Sequence, residues 1–152
     1  MLEAGDKAPT CTVKTGTGEM IDLHDPKGTL VVFFYPKDNT PGCTKEAIAF
    51  SEHLGEFAAA GAKVIGVSRD PMASHDRFTR KHDLTVPLVA DEDGSVSDGF
   101  GTWGEKKNYG RTYMGMHRST FIIGADGEVK KAWPKVRVAG HAEEVLEAVR
   151  AL

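Results

Sequence analysis

Cysteine is scarce in this chain: among 152 residues only Cys11 and Cys43 carry a thiol. Two thiols are too few for a disulfide framework, and neither sits in a C-x-x-C. No two histidines fall at the i, i+4 spacing of ligands on a helix, so no metal site is expected. Long apolar runs are missing as well, and nothing approaches the roughly 18 residues of a membrane span. Positive charge is not concentrated anywhere. The formal net charge is −3, and no basic block of five or more residues occurs, which argues against nucleic acid or an anionic membrane as partner. Met1-Leu2-Glu3-Ala4-Gly5-Asp6 is acidic and leads into no apolar segment, so no secretory signal is expected. Free cysteines suit a reducing compartment, and a cytoplasmic location is the expectation. Repeats, low-complexity tracts and long linkers are absent too. One domain over residues 1–152 is therefore expected, large enough to bury a core without covalent staples.

What is present is an alternation of short elements. Thr10–Val13 and Met20–Leu23 read as strands joined by the turn-rich Thr15-Gly16-Thr17-Gly18, an N-terminal β-hairpin. Leu30–Tyr35 is a continuous apolar run, the mark of a strand buried on both faces. From Thr40 or Pro41 to Ala60, apolar Ala47, Phe50, Leu54, Phe57 and Ala58 recur at helical spacing, and Gly61 supplies a stop. Val64–Val67 and Val86–Ala90 read as strands, with helices over Met72–His82 and Gly94–Gly101. Ser119–Ile123 and Val129–Trp133 flank Gly124-Ala125-Asp126-Gly127, a hairpin turn ending in Asp-Gly. His141–Leu152 closes the chain as a helix. The order predicts an α/β fold: a central mixed β-sheet flanked by helices, compatible with a thioredoxin fold.

The most informative stretch runs from Val31 to Glu46. An apolar strand stops at Pro36, crosses a short polar loop and delivers Cys43 to the first turn of a helix. There the thiol meets unpaired backbone N–H groups and the positive end of the helix dipole. Both favour thiolate, the nucleophilic form of cysteine. Taken singly, these residues have plainer readings. A lone cysteine on a helix is usually a small buried side chain, Thr40 an N-cap, Pro41 and Gly42 first-turn residues, and Lys37 and Asp38 solvated loop charges.

Pro36, Thr40 and Cys43 spell P-x-x-x-T-x-x-C, which resembles the active-site motif of peroxiredoxins. The longer string from Phe34 to Thr44 looks like the bacterioferritin-comigratory-protein or peroxiredoxin Q subfamily. The likeness extends through Gly5–Pro9, Val64–Ser68, Asp91–Gly94, Trp103–Lys106 and His117–Ile123, nearly end to end. It implies a thioredoxin-fold peroxidase that reduces hydrogen peroxide and organic hydroperoxides through a Cys43 sulfenic acid. Chemistry at an O–O bond needs a thiolate, donors for the oxygen that gains charge, and cover from water. Cys43 offers the first. The Gly42 and Cys43 amides, approachable because glycine lacks a Cβ, offer the second. The Thr40 hydroxyl is expected to accept the peroxide's proton while donating to sulfur, and Pro36 to shield the thiolate. The resemblance places an electrostatic role on Arg118, at the head of the Ser119–Ile123 strand. No metal, haem, flavin or other cofactor is required, since sulfur carries the redox chemistry.

The chain departs from the subfamily where the cycle closes. Many relatives carry a resolving cysteine five residues after the first, and here that position is Ile48. Others have one near the Asp91–Asp93 segment, where this chain has Ser97. Two routes stay open. Either an external thiol, thioredoxin or glutathione with glutaredoxin, reduces the Cys43 sulfenic acid in a one-cysteine cycle, or Cys11 resolves it. The first is favoured, because Cys11 falls in the N-terminal hairpin and bridging needs Cα atoms within about 7 Å. The subfamily likeness also implies a monomer. Two other readings use the same residues: a thiol sensor or holdase with little turnover, and a Cys43/His117 hydrolase.

Overall fold

The computed structural model describes residues 1–152. β1 (Thr12–Lys14) and β2 (Met20–Asp22) pair antiparallel as the N-terminal hairpin. β3 (Thr29–Phe34) leads to α1 (Pro41–Glu52) and α2 (Leu54–Ala59), then β4 (Ala62–Ser68), α3 (Met72–His82), β5 (Leu88–Ala90) and α4 (Ser95–Phe100). β6 (Trp103–Asn108) and β7 (Arg111–Met116) form a second hairpin, and β8 (Ser119–Ile123), β9 (Val129–Trp133) and α5 (His141–Arg150) complete the chain. The central sheet has the order β5-β4-β3-β8-β9. β3, β4 and β5 run parallel, while β8 is antiparallel to β3 and β9 to β8. No helix is long and apolar enough to cross a membrane.

The apolar run of β3 explains its central place. Alternate side chains point to opposite faces, so Val31 and Phe33 enter one core while Leu30, Val32 and Phe34 enter the other. The first core is covered by α1, α2, α3 and α5 through Phe50, Phe57, Phe78 and Val145, and it contains Cys43. The second is covered by the N-terminal hairpin and α4 through Val13, Ile21, Val96 and Phe100. Gly66 in β4 is required by this packing, since a Cβ there would lie 2.5 Å from the Phe33 ring.

Two expectations change. The single helix to Ala60 is two, broken at His53, whose ring bonds Glu56 Oε1 at 2.7 Å and Glu143 Oε1 on α5 at 3.0 Å. The β6–β7 hairpin was not anticipated. Its two-residue turn is Tyr109-Gly110, both at positive φ, the backbone that Asn-Gly usually supplies.

Candidate active site

Cys43 lies in the first turn of α1, facing the sheet and almost wholly buried. Pro41 opens the helix, where its missing N–H is no loss. The first helical bond runs from the Thr44 N–H to the Thr40 carbonyl at 2.9 Å, so the Gly42 and Cys43 amides precede the ladder. Thr40 occupies the N-cap position with extended backbone but makes no side-chain cap bond. Its hydroxyl donates instead to the Lys37 carbonyl at 2.9 Å. The expected donation to sulfur is therefore not made: the hydroxyl proton is committed to the loop, and the oxygen lone pairs are left to accept. A capping Thr40 would have engaged the amide of the second or third helical residue, Gly42 or Cys43. Turning away leaves both as donors.

Arg118 reaches this turn from the start of β8. Its Nη2 donates to Cys43 Sγ at 3.1 Å and its Nη1 to Glu46 Oε1 at 2.8 Å. Gly42 makes room, since a Cβ there would sit 3.3 Å from Arg118 Nη2. Glu46 follows Cys43 by one helical turn and is fully buried, with Oε2 lacking any partner. Burial pushes its carboxyl up to about 7 against the opposing pull of Arg118. Sequence reasoning missed Glu46. The signal was present: a carboxylate at position 46 falls on the same helical stripe as Cys43, Ala47 and Phe50.

The loop before α1 is tied down by Asp38, which is buried rather than solvated. Its carboxylate accepts from the Tyr35 hydroxyl at 2.6 Å and the Ser74 hydroxyl at 2.8 Å, and meets His75 Nδ1 at 2.7 Å. Burial works to raise this carboxyl, but the bonds from His75, Tyr35 and Ser74 outweigh it and hold it below the usual range. His75 Nε2 faces the Val89 carbonyl at 2.9 Å, so both ring nitrogens are engaged. The Asp38 N–H donates to Asp70 Oδ2 at 2.9 Å. Pro36 stands exposed at the head of this loop, just beyond β3.

The remaining candidates lie elsewhere. Cys11 packs, half-buried, against the core on the opposite face of the sheet from Cys43. Burial and the nearby Asp91, Asp93 and Asp22 push its thiol up, against a bond from Ser95. Ser97 is on that far face too, bonded by the Asp91 carboxylate through its N–H and by Arg69 through its hydroxyl. Neither position is brought to Cys43. Ile48 is half-buried on α1 against the same core as Cys43. His117 lines a cavity beside Arg118, and the sulfur's side-chain partner is the arginine, not His117.

Comparison with known proteins gives a consistent picture. The AhpC/TSA family profile matches residues 4–132. Peroxiredoxin Bcp of Bacillus subtilis is 43% identical over 150 residues, covering 98% of this chain and 96% of that protein. Peroxiredoxin Bcp of Escherichia coli is 40% identical over 146 residues, covering 95% and 94%. Among solved structures, the bacterioferritin comigratory protein of Xanthomonas campestris superposes with a TM-score of 0.87 at 41% identity, over 98% of both chains. That structure is described in connection with alkyl peroxide reduction.

Proposed function

The chain belongs to the AhpC/TSA family and is a peroxiredoxin, a thiol-dependent peroxidase, and from that premise we propose that Cys43 is its peroxide-attacking residue in a one-cysteine cycle. Hydrogen peroxide and organic hydroperoxides are the substrates; the Xanthomonas campestris relative's link to alkyl peroxide reduction supports the second. The observation that carries the reading is the 3.1 Å contact between Arg118 Nη2 and the sulfur, at a helix start whose amides are free.

The Cys43 thiolate attacks one peroxide oxygen, an S–O bond forms and the O–O bond breaks. Cys43 becomes sulfenic acid, and the departing oxygen leaves as hydroxide or alkoxide, to be protonated to water or alcohol. Arg118 and the Gly42 and Cys43 amides face the region where that charge develops, as fixed donors that need no reorganisation. The Thr40 oxygen, its own proton held by Lys37, accepts the peroxide's O–H and so orients it. Pro36 covers the approach. An outside thiol, from thioredoxin or from glutathione with glutaredoxin, then returns the sulfenic acid to thiol.

Stopped-flow consumption of hydrogen peroxide and tert-butyl hydroperoxide tests this, with the oxidised protein then weighed intact. Wild type should react fast and gain one oxygen, Cys43→Ser should not react, and Arg118→Leu should react about 100-fold or more slowly, the scale of losing one oriented charge donor. Fast consumption by Cys43→Ser would end the assignment. A slow wild type that forms stable stoichiometric disulfides with partners would favour the sensor reading instead.

A further inference from the structure

Arg118 borders a second feature, of which the peroxide step uses that residue alone. Lys106, His117, Arg118, Pro134, Lys135 and Val136 line an open cavity of about 520 Å³. No carboxylate lines it, although the chain as a whole carries a net charge of −3. Arg118 is shared: it lines this cavity, and its guanidinium holds Cys43 Sγ. Lys106 is brought there by β6, where its ammonium donates to the Met116 carbonyl at 2.9 Å. Burial and the Arg118 charge pull the Lys106 ammonium down while the charge of Cys43 raises it, so Lys106 and the sulfur lie within electrostatic reach. The segment carrying Lys135 is fixed to the same arginine, since the Val136 N–H donates to the Arg118 carbonyl at 3.1 Å. Pro134 and Val136 add hydrocarbon between the cations.

We infer that this cavity is a subsite for the carboxylate of a low-molecular-weight thiol, the reductant of the Cys43 sulfenic acid. The inference rests on the one-cysteine reading, under which a thiol from outside must meet Cys43: Cys11 and Ser97 are across the sheet, and Ile48 stands one turn along α1. A short carbon skeleton lies along Pro134 and Val136 with its carboxylate between Lys106 and Lys135, and its thiol is directed past Arg118. The incoming sulfur attacks Cys43 sulfur, an S–S bond forms, the S–O bond breaks, and the hydroxyl leaves with a proton as water. A second thiol then attacks the mixed disulfide, giving a Cys43 thiol and the oxidised small disulfide. Two thiols are thereby oxidised for each sulfenic acid reduced.

The test compares 3-mercaptopropionate with 2-mercaptoethanol as reductants of preformed Cys43 sulfenic acid, in wild type and in Lys106→Gln/Lys135→Gln. The readout is the ratio of the two rate constants on the same protein, so a general effect of the substitutions cancels. Removing two partly exposed cations should lower that ratio about fivefold, and raising the salt should lower it in wild type alone. The same ratio is read with iodoacetate and iodoacetamide on the reduced proteins, which needs no peroxide activity and so separates failure of the subsite from failure of the peroxidase reading. A fall in both ratios upholds the subsite. Unchanged ratios overturn it. So does a fall seen only when a carboxylate-bearing hydroperoxide is compared with tert-butyl hydroperoxide, which would assign the cavity to the oxidant.

Discussion

Arg118 divides its two terminal nitrogens between a sulfur and a carboxylate, and the balance between them depends on whether Glu46 is ionised. While Glu46 keeps its proton, the arginine's charge faces Cys43 alone; once it ionises, the charge is shared. The linkage is open to measurement because the carboxyl is raised to about 7 in the fold. A carboxyl raised on folding contributes stability that is fully present below its unfolded value near 4.3 and is lost as pH rises through about 7. His141 has the opposite sign. Burial holds its imidazole down to about 4, so its contribution is present above about 6.5 and is lost as pH falls through about 4. Comparing wild type with Glu46→Gln cancels the histidine. Urea unfolding across this range should show wild type losing on the order of 3 kcal/mol relative to the variant between pH 4.5 and 8. Parallel profiles would mean that Glu46 does not titrate there. The sequence offered Cys43 and Thr40 as candidates by local spacing and Arg118 by resemblance; the structure brings Arg118 Nη2 to the Cys43 sulfur at 3.1 Å and turns the Thr40 hydroxyl to the Lys37 carbonyl instead. Glu46 and Asp38 were not legible there, because what buries them comes from far along the chain: Arg118 lies 72 residues from Glu46, and His75 lies 37 from Asp38.

The helix start is where geometry and stability can be separated. Gly42 stands at the second position of α1, where a glycine is dearer in conformational entropy than an alanine. Its reason for being glycine is Arg118: an added Cβ lies 3.3 Å from Nη2, tighter than an ordinary contact. That guanidinium is held at both ends, by Glu46 and by the sulfur, so it can yield only by leaving one of them. Gly42→Ala should therefore unfold at the same or slightly higher denaturant while its second-order rate with peroxide falls about tenfold, since misplacement by a fraction of an ångström degrades an aligned site. A rate equal to wild type would show that Arg118 tolerates the shift. Element types were largely readable because α3, β8 and β9 carry clear periodicity or turn signals, and their bounds match the reading. The β6–β7 hairpin was hidden because Tyr109 takes the left-handed backbone that asparagine usually signals, with Asn108 one place earlier. Its outer residues are also polar and exposed, so no apolar alternation marks the strands.

At the scale of the whole molecule, the sheet decides what Cys43 can react with. The order of elements that the sequence displays is compatible with a thioredoxin fold, and the structure supplies the strand order. The face on which each covering element lands does not follow from that order, because alternation shows that a strand has two faces without naming the side that a distant hairpin will cover. The N-terminal hairpin and α4 cover the face away from α1, which puts Cys11 and position 97 behind five strands of close-packed core. A disulfide from Cys11 to Cys43 within one chain would require that layer to open, and the buried aromatic side chains Phe33, Phe34, Phe50 and Phe121 oppose it. Burial and then the acidic surroundings of Cys11 also disfavour its thiolate, the form that would attack a sulfenic acid. With no partner on its own face, an oxidised Cys43 left without reductant has only further peroxide to meet. Repeated peroxide exposure should then carry it to sulfinic and sulfonic acid. Intact mass after such treatment should show two and then three added oxygens, with the same distribution in Cys11→Ser, and no dimer on a non-reducing gel. A product two hydrogens lighter that disappears in Cys11→Ser would show instead that the chain opens far enough to resolve itself, and a dimer that disappears in the same variant would place the resolving thiol on a second copy.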